Sequence, residues 1–174
     1  FLIVDMMEMI TSPNTFWVRL NLAMNTMGSI FYVVGSIGFI PAVFNEGKAL
    51  GALGFIVGSI LIGYSQIWKI IRTGTENSKF KVSTLFADGM WVITSVDVSI
   101  CIGACSFFIG SVMFISGPLE GPWYESVLFI WMIGSIYYTI GALFLCYASY
   151  GHVYGYHDDK NSDEDEDEEN SKLI

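Results

Sequence analysis

Asp97 is the only charged residue in the apolar run from Ser95 to Ser116. An ionised carboxylate in bilayer hydrocarbon costs about 2.5–3.5 kcal/mol at a helix centre and less toward its end, so such residues often mark ion or proton paths. Arg19, Asn21 and Asn25 sit at the corresponding depth of an earlier apolar run. A cluster Arg19–Asn21–Asn25–Asp97 could gate an ion or proton, or touch a lipid headgroup. The simpler reading places Asp97 at the membrane interface, wetted or salt-bridged and helped by the positive end of its helix dipole. His152 and His157, followed by Asp158 and Asp159, are the other candidate ligands. A five-residue spacing turns two imidazoles to different helical faces and no third soft ligand is near, so no metal site is expected. Cys101, Cys105 and Cys146 all fall in apolar runs, where they read as small packing residues. Helix geometry disfavours a bridge between Cys101 and Cys105. No nucleophile elbow, phosphate loop, HExxH or CxxC occurs, so neither a catalytic site nor a cofactor is expected.

The elements that carry these residues follow from where charge is missing. A bilayer core of about 30 Å needs roughly 20 mostly apolar helical residues. Four stretches qualify: about 22–44, 50–71, 95–116 and 125–150. Their length and unbroken apolarity indicate helices, since membrane-barrel strands are short and alternate. Tight turns are expected at Asn45-Glu46-Gly47-Lys48 and around Gly117, Pro118, Gly121 and Pro122. The central connection mixes Lys79 and Lys81 with Phe80, Val82, Leu85 and Phe86, which suits a short interfacial helix or a plain loop.

Net charge says little about the fold. Of 17 acidic residues, nine lie between Asp158 and Glu169, and residues 1–157 carry eight acids against six bases, a net −2. The segment Ser162–Ser171 reads as a disordered, self-repelling tail that could bind a basic partner or calcium weakly, with Ser162 as a phosphate acceptor. Without a basic face, nucleic acid is excluded as a partner. Residues 1–10 are too short to span and lack a basic n-region, and a start at Phe1 leaves room for an upstream segment. Seven bases (Arg19, Lys69, Arg72, Lys79, Lys81, Lys160, Lys172) fall on the side shared by the termini and the central loop, against Lys48 alone on the other. That asymmetry predicts both termini in the cytoplasm or its topological equivalent. Phe16, Trp17, Trp68, Trp91, Trp123 and Tyr124 mark the headgroup levels.

The strongest pattern is internal. Gly28 to Phe39 lines up with Gly103 to Phe114 at a shift of 75, and Phe55 to Ile60 with Trp131 to Ile136 at a shift of 76. The repeated unit is thus a two-helix hairpin. An even number of spans makes both copies enter from one side, so the pseudo-twofold axis should run along the membrane normal. Each helix also holds two glycines seven apart: Gly28/Gly35, Gly51/Gly58, Gly103/Gly110 and Gly134/Gly141. Seven residues is nearly two turns, so each pair shares a face. Membrane helices gain little by burying apolar surface and associate through close backbone approach, which glycine permits. Gly54 with Gly58, and Gly47 with Gly51, add GxxxG spacings. Gly-Ser steps at 35–36, 58–59, 110–111 and 134–135 set a hydroxyl beside each groove, either lining a path or bonded to its own backbone.

Asn25, Gly28, Gly35, Ser36 and Phe39, then Gly54, Gly58 and Ser59, together resemble the YrhK-like domain. The likeness covers about 19–72, with a weaker second copy over about 94–150, where Ile100 stands for Asn25 and Ile130 for Gly54. The resemblance implies a small two-helix membrane domain, here in tandem, and little chemistry.

The expected architecture is an all-α integral membrane four-helix bundle of two parallel-repeated hairpins. It divides into an interfacial or flexible segment 1–18, hairpins 19–72 and 91–151, a connection 73–90 and an acidic tail 152–174. Its partners are the lipid bilayer and other membrane proteins or further copies of itself. The expected role is non-enzymatic, structural or accessory. A small channel or carrier built on the Asp97 cluster, and an anchor recruiting a basic partner through the tail, are the alternatives.

Overall fold

The computed structural model describes residues 16–76, 79–86 and 90–155, with the backbone alone for Glu76 and for 149–155. Helix already occupies 16–18 of the expected N-terminal segment and 152–155 of the expected tail. Residues 1–15 and 156–174, with the interfacial segment, the His157 ligand and the acidic run expected there, lie outside the described residues. Four α-helices make up nearly all of the rest: α1 Phe16–Gly38, α2 Phe44–Gly74, α3 Met90–Ser116 and α4 Gly121–Gly155. Each is long and apolar enough to cross a membrane. The chain is a multi-pass integral membrane protein with an all-α four-helix bundle.

The first interhelical turn lies earlier than its sequence suggests. Helix α1 stops at Gly38, and α2 already begins at Phe44, so Asn45-Glu46-Gly47-Lys48 forms the opening of a helix rather than a turn. Pro41 explains the shift. It has no N–H to donate, and its ring clashes with the carbonyl four residues back, so an α-helix cannot run through it. The chain turns instead through short-range bonds from Phe39 N to Ser36 O (3.2 Å), Ile40 N to Ile37 O (3.1 Å) and Val43 N to Ile40 O (3.0 Å). Glu46 then sits in the first turn of α2, where a negative charge suits the helix dipole. The second turn falls at 117–120, and Gly121, the first residue of α4, takes φ 67°, a left-handed conformation that a side chain disfavours. Pro122 follows early in α4, where a missing N–H costs nothing.

Between the hairpins the connection is neither a lone helix nor a plain loop. Strands β1 (Thr75–Glu76) and β2 (Lys79–Phe80) pair antiparallel, and a 3₁₀ turn follows over Val82–Phe86. It is tied back at both ends: Lys81 N and Thr84 Oγ1 donate to Gly74 O (2.8 and 3.2 Å), and Thr94 Oγ1 donates to Leu85 O (2.8 Å). Leu85 is buried beneath it.

Backbones pack closely within each hairpin, and α2 packs along α3 between them. The contacts repeat. Tyr32 lies over Gly58 as Phe107 lies over Gly134, Phe55 over Gly35 as Trp131 over Gly110, and Ile62 over Gly28 as Tyr138 over Gly103. At the shifts of 75 and 76 these are the same three contacts made twice. Equivalent residues also meet each other: Tyr32 with Phe107 (ring centroids 5.4 Å), Phe39 with Phe114 (5.3 Å) and Phe55 with Trp131 (6.0 Å). Two equivalent residues can touch only astride the axis that relates them. The pseudo-twofold axis therefore passes through these rings, parallel to the helices, as a parallel duplication demands.

The duplication is imperfect where the hairpins meet. Twofold symmetry would make α1–α4 a copy of α3–α2, yet the backbones of α1 and α4 stay apart. Helix α4 is the most peripheral, with 17% of its most apolar window buried against 39–50% for the other three.

Candidate functional site

The half of the bundle near the connection has a polar interior. Asn21, Asn25, Ser65, Gln66 and Asp97 are all buried there. Gln66 Nε2 donates to Asn25 Oδ1 (3.2 Å), and Ser65 Oγ donates to the Asn21 carbonyl at a long 3.5 Å. The register that pairs the glycine faces of α1 and α2 creates both contacts. With Gly28 against Gly58 and Gly35 against Gly51, Asn21 falls opposite Ser65, and Gln66 comes beside Asn25. Gln66 is 1% exposed, and its Oε1 accepts no hydrogen bond from the described residues. Thr26 Oγ1 is likewise buried and unbonded among them.

Of the four residues expected to cluster, Asn21, Asn25 and Asp97 are buried and Arg19 is exposed. Gln66 and Ser65 are the partners that sequence reasoning missed. The glycine register was the signal that could have found them. The four Gly-Ser hydroxyls divide evenly. Ser36 and Ser135 donate to carbonyls one turn back (2.8 and 3.0 Å), as membrane serines commonly do. Ser59 instead bonds Tyr32 Oη (2.7 Å), and Ser111 accepts from Trp131 Nε1 (3.2 Å). Tyr138 Oη donates to Tyr32 Oη (3.0 Å), which joins α4, α1 and α2 in one hydroxyl chain. The nine glycines Gly28, Gly35, Gly51, Gly54, Gly58, Gly103, Gly110, Gly134 and Gly141 are all buried. All are close-packed: a Cβ on any of them would meet another residue at 3.2 Å or less.

Where α1 and α4 fail to close, a cleft of about 370 Å³ enters the bundle. Asn25, Ser29 and Gln66 form its polar end, and Tyr32 and Tyr138 close the other. Val33, Ile62 and Ile100 make its walls. Asn25, Ser29 and Gln66 all belong to the first hairpin. Their equivalents in the second are Ile100, Ala104 and Ala142, which are apolar. The copies have thus diverged where α1 and α4 part. None of the described residues that line the cleft is charged.

Toward the interhelical turns the interior becomes aromatic. Phe39 stacks on Phe55 (5.4 Å, 6° between planes) and meets Trp131 edge-on at 5.1 Å, and Phe55 meets Phe107 at 5.3 Å. Comparison of the chain with protein-family models, with curated proteins and with solved structures gives no match.

Proposed function

We propose that this protein is a non-enzymatic structural or accessory component of a membrane or membrane complex, with both termini on the cytoplasmic or equivalent side. One observation carries the reading: the bundle's axis is filled by ring-on-ring contacts. Tyr32, Phe39, Phe55, Phe107, Phe114 and Trp131 meet at centroid separations of 5.1–6.0 Å along the line where a permeation path would run. Those are contact distances for aromatic rings. The buried polar residues therefore end against a plug instead of continuing to the turn side. The resemblance to YrhK-like domains points the same way, toward architecture over chemistry.

The carrier reading draws on the burial of Asn21, Asn25 and Asp97, and flux separates the two. Proteoliposomes holding the protein should show K⁺, Na⁺ and proton leak equal to that of empty vesicles, for wild type and Asp97→Asn alike. Leak above that level, abolished by Asp97→Asn, would replace the accessory reading with a transport one.

A further inference from the structure

We infer that the α1–α4 cleft is a binding site for an uncharged lipid with a single hydroxyl on a compact, rigid apolar body, a sterol-class molecule. This goes beyond the accessory role and does not depend on it. Three observations converge. The cleft lies between two membrane-crossing helices whose backbones stay apart, and Val33 on its rim is 51% exposed, so its mouth faces lipid. Its volume, about 370 Å³, falls within the usual range for small-molecule sites. Its inner end holds Gln66, a buried amide whose Oε1 accepts no hydrogen bond from the described residues.

The polar end sets the ligand's head. A buried acceptor left unmatched is costly, and Gln66 Oε1 is itself closed off from the empty cleft, so a ligand donor gains it by turning the amide toward the cleft. A hydroxyl supplies that donor, and it can also accept. Carboxylate and phosphate heads supply no proton, and none of the described residues lining the cleft is cationic to compensate them. The walls set the ligand's body. Asn25 and Val33 are eight residues apart on α1, about 12 Å at the helical rise, and the tyrosine pair closes the far end. A rigid body of that length loses less entropy on binding than flexible acyl chains. The depth also fits. Gln66 is two residues before Trp68, a headgroup-level aromatic, so the head would lie just beneath the interface with the body directed inward.

The test uses the full chain in phosphatidylcholine nanodiscs with a photoactivatable, diazirine-bearing cholesterol, and the adducts are mapped by mass spectrometry. Adducts should concentrate on Val33, Ile62, Ile100 and Tyr138. Excess cholesterol should suppress them and cholesteryl methyl ether, which has no hydroxyl proton, should not. Gln66→Leu should lower labelling at least fivefold. Val33→Trp, which fills the mouth from an exposed position and spares the core, should lower it as much. Three outcomes would overturn the assignment: adducts spread over lipid-facing positions such as Leu53 and Leu143, equal competition by the methyl ether, or full labelling of a monodisperse Val33→Trp protein. Stronger competition by dioleoylglycerol than by cholesterol would overturn the rigid-body assignment.

Discussion

Gly54 and Gly63 lie nine residues apart on α2, and the fold predicts opposite consequences for replacing each with alanine. A Cβ at Gly54 would stand 2.9 Å from Gly35 N, 2.9 Å from Phe31 O and 3.0 Å from Gly35 Cα. All three are backbone atoms of α1, which cannot rotate aside, so the helices must part by about half an ångström to restore ordinary contact. Overpacking of this kind costs about 1–3 kcal/mol. The better helix propensity of alanine returns about 1 kcal/mol. Gly54→Ala should therefore be neutral to about 2 kcal/mol destabilising. At Gly63 the nearest atom is Ala104 Cβ at 3.8 Å, an ordinary contact. Gly63→Ala keeps the propensity gain and should be stabilising by up to about 1 kcal/mol. Reversible unfolding in mixed detergent micelles, followed by tryptophan fluorescence, measures the contrast of about 1–3 kcal/mol between them. If both variants shifted stability equally, in either direction, close backbone approach at Gly54 would not be what holds α1 to α2.

Two further outcomes follow from particular contacts. Tyr32→Phe removes the hydroxyl that links Tyr138 to Ser59, and by the usual worth of membrane hydrogen bonds it should cost about 0.6–1.7 kcal/mol. Adding Ser59→Ala should then cost little more, which a double-mutant cycle by thermal unfolding would reveal. For topology, a single cysteine replacing Lys48 and one replacing Lys79 should react with an impermeant maleimide from opposite faces of sealed vesicles. Reaction from the same face would contradict the two-hairpin arrangement.

The four spans were legible because lipid imposes a global rule, a long charge-free helix, that local detail cannot override. The repeat was legible because a glycine contact made twice needs glycine twice, so Gly28/Gly58 and Gly103/Gly134 carry the same signal. The first turn was misplaced because Asn45-Glu46-Gly47-Lys48 has strong turn chemistry, and turn chemistry is a preference. Pro41 imposes a prohibition, and the prohibition wins. The cleft was not legible for another reason. Asn25 and Gln66 are 41 residues apart and meet only once the hairpin register is fixed. Gln66 also lies close to Trp68 and Lys69, where a polar residue reads as part of the membrane boundary. Asp97 is the lone charge of its run, but charge marks cost without naming a partner. Nor did the repeat foretell that α1 and α4 would stand apart, since symmetry predicts like interfaces, and the divergence at Ile100, Ala104 and Ala142 acts against it.

The central claim, two hairpins joined along α2 and α3 and parted along α1 and α4, is tested most directly by disulfide formation in membranes. Cys101, Cys105 and Cys146 are first replaced by alanine. A Cβ at Gly63 would lie 3.8 Å from Ala104 Cβ, the mean separation of bridged cysteines. Gly63→Cys with Ala104→Cys should therefore oxidise rapidly to an intrachain bridge. The symmetry-equivalent pair, Ser29→Cys with Thr139→Cys, should bridge far more slowly. Equal rates for the two pairs, or no intrachain bridge in the first, would contradict the arrangement.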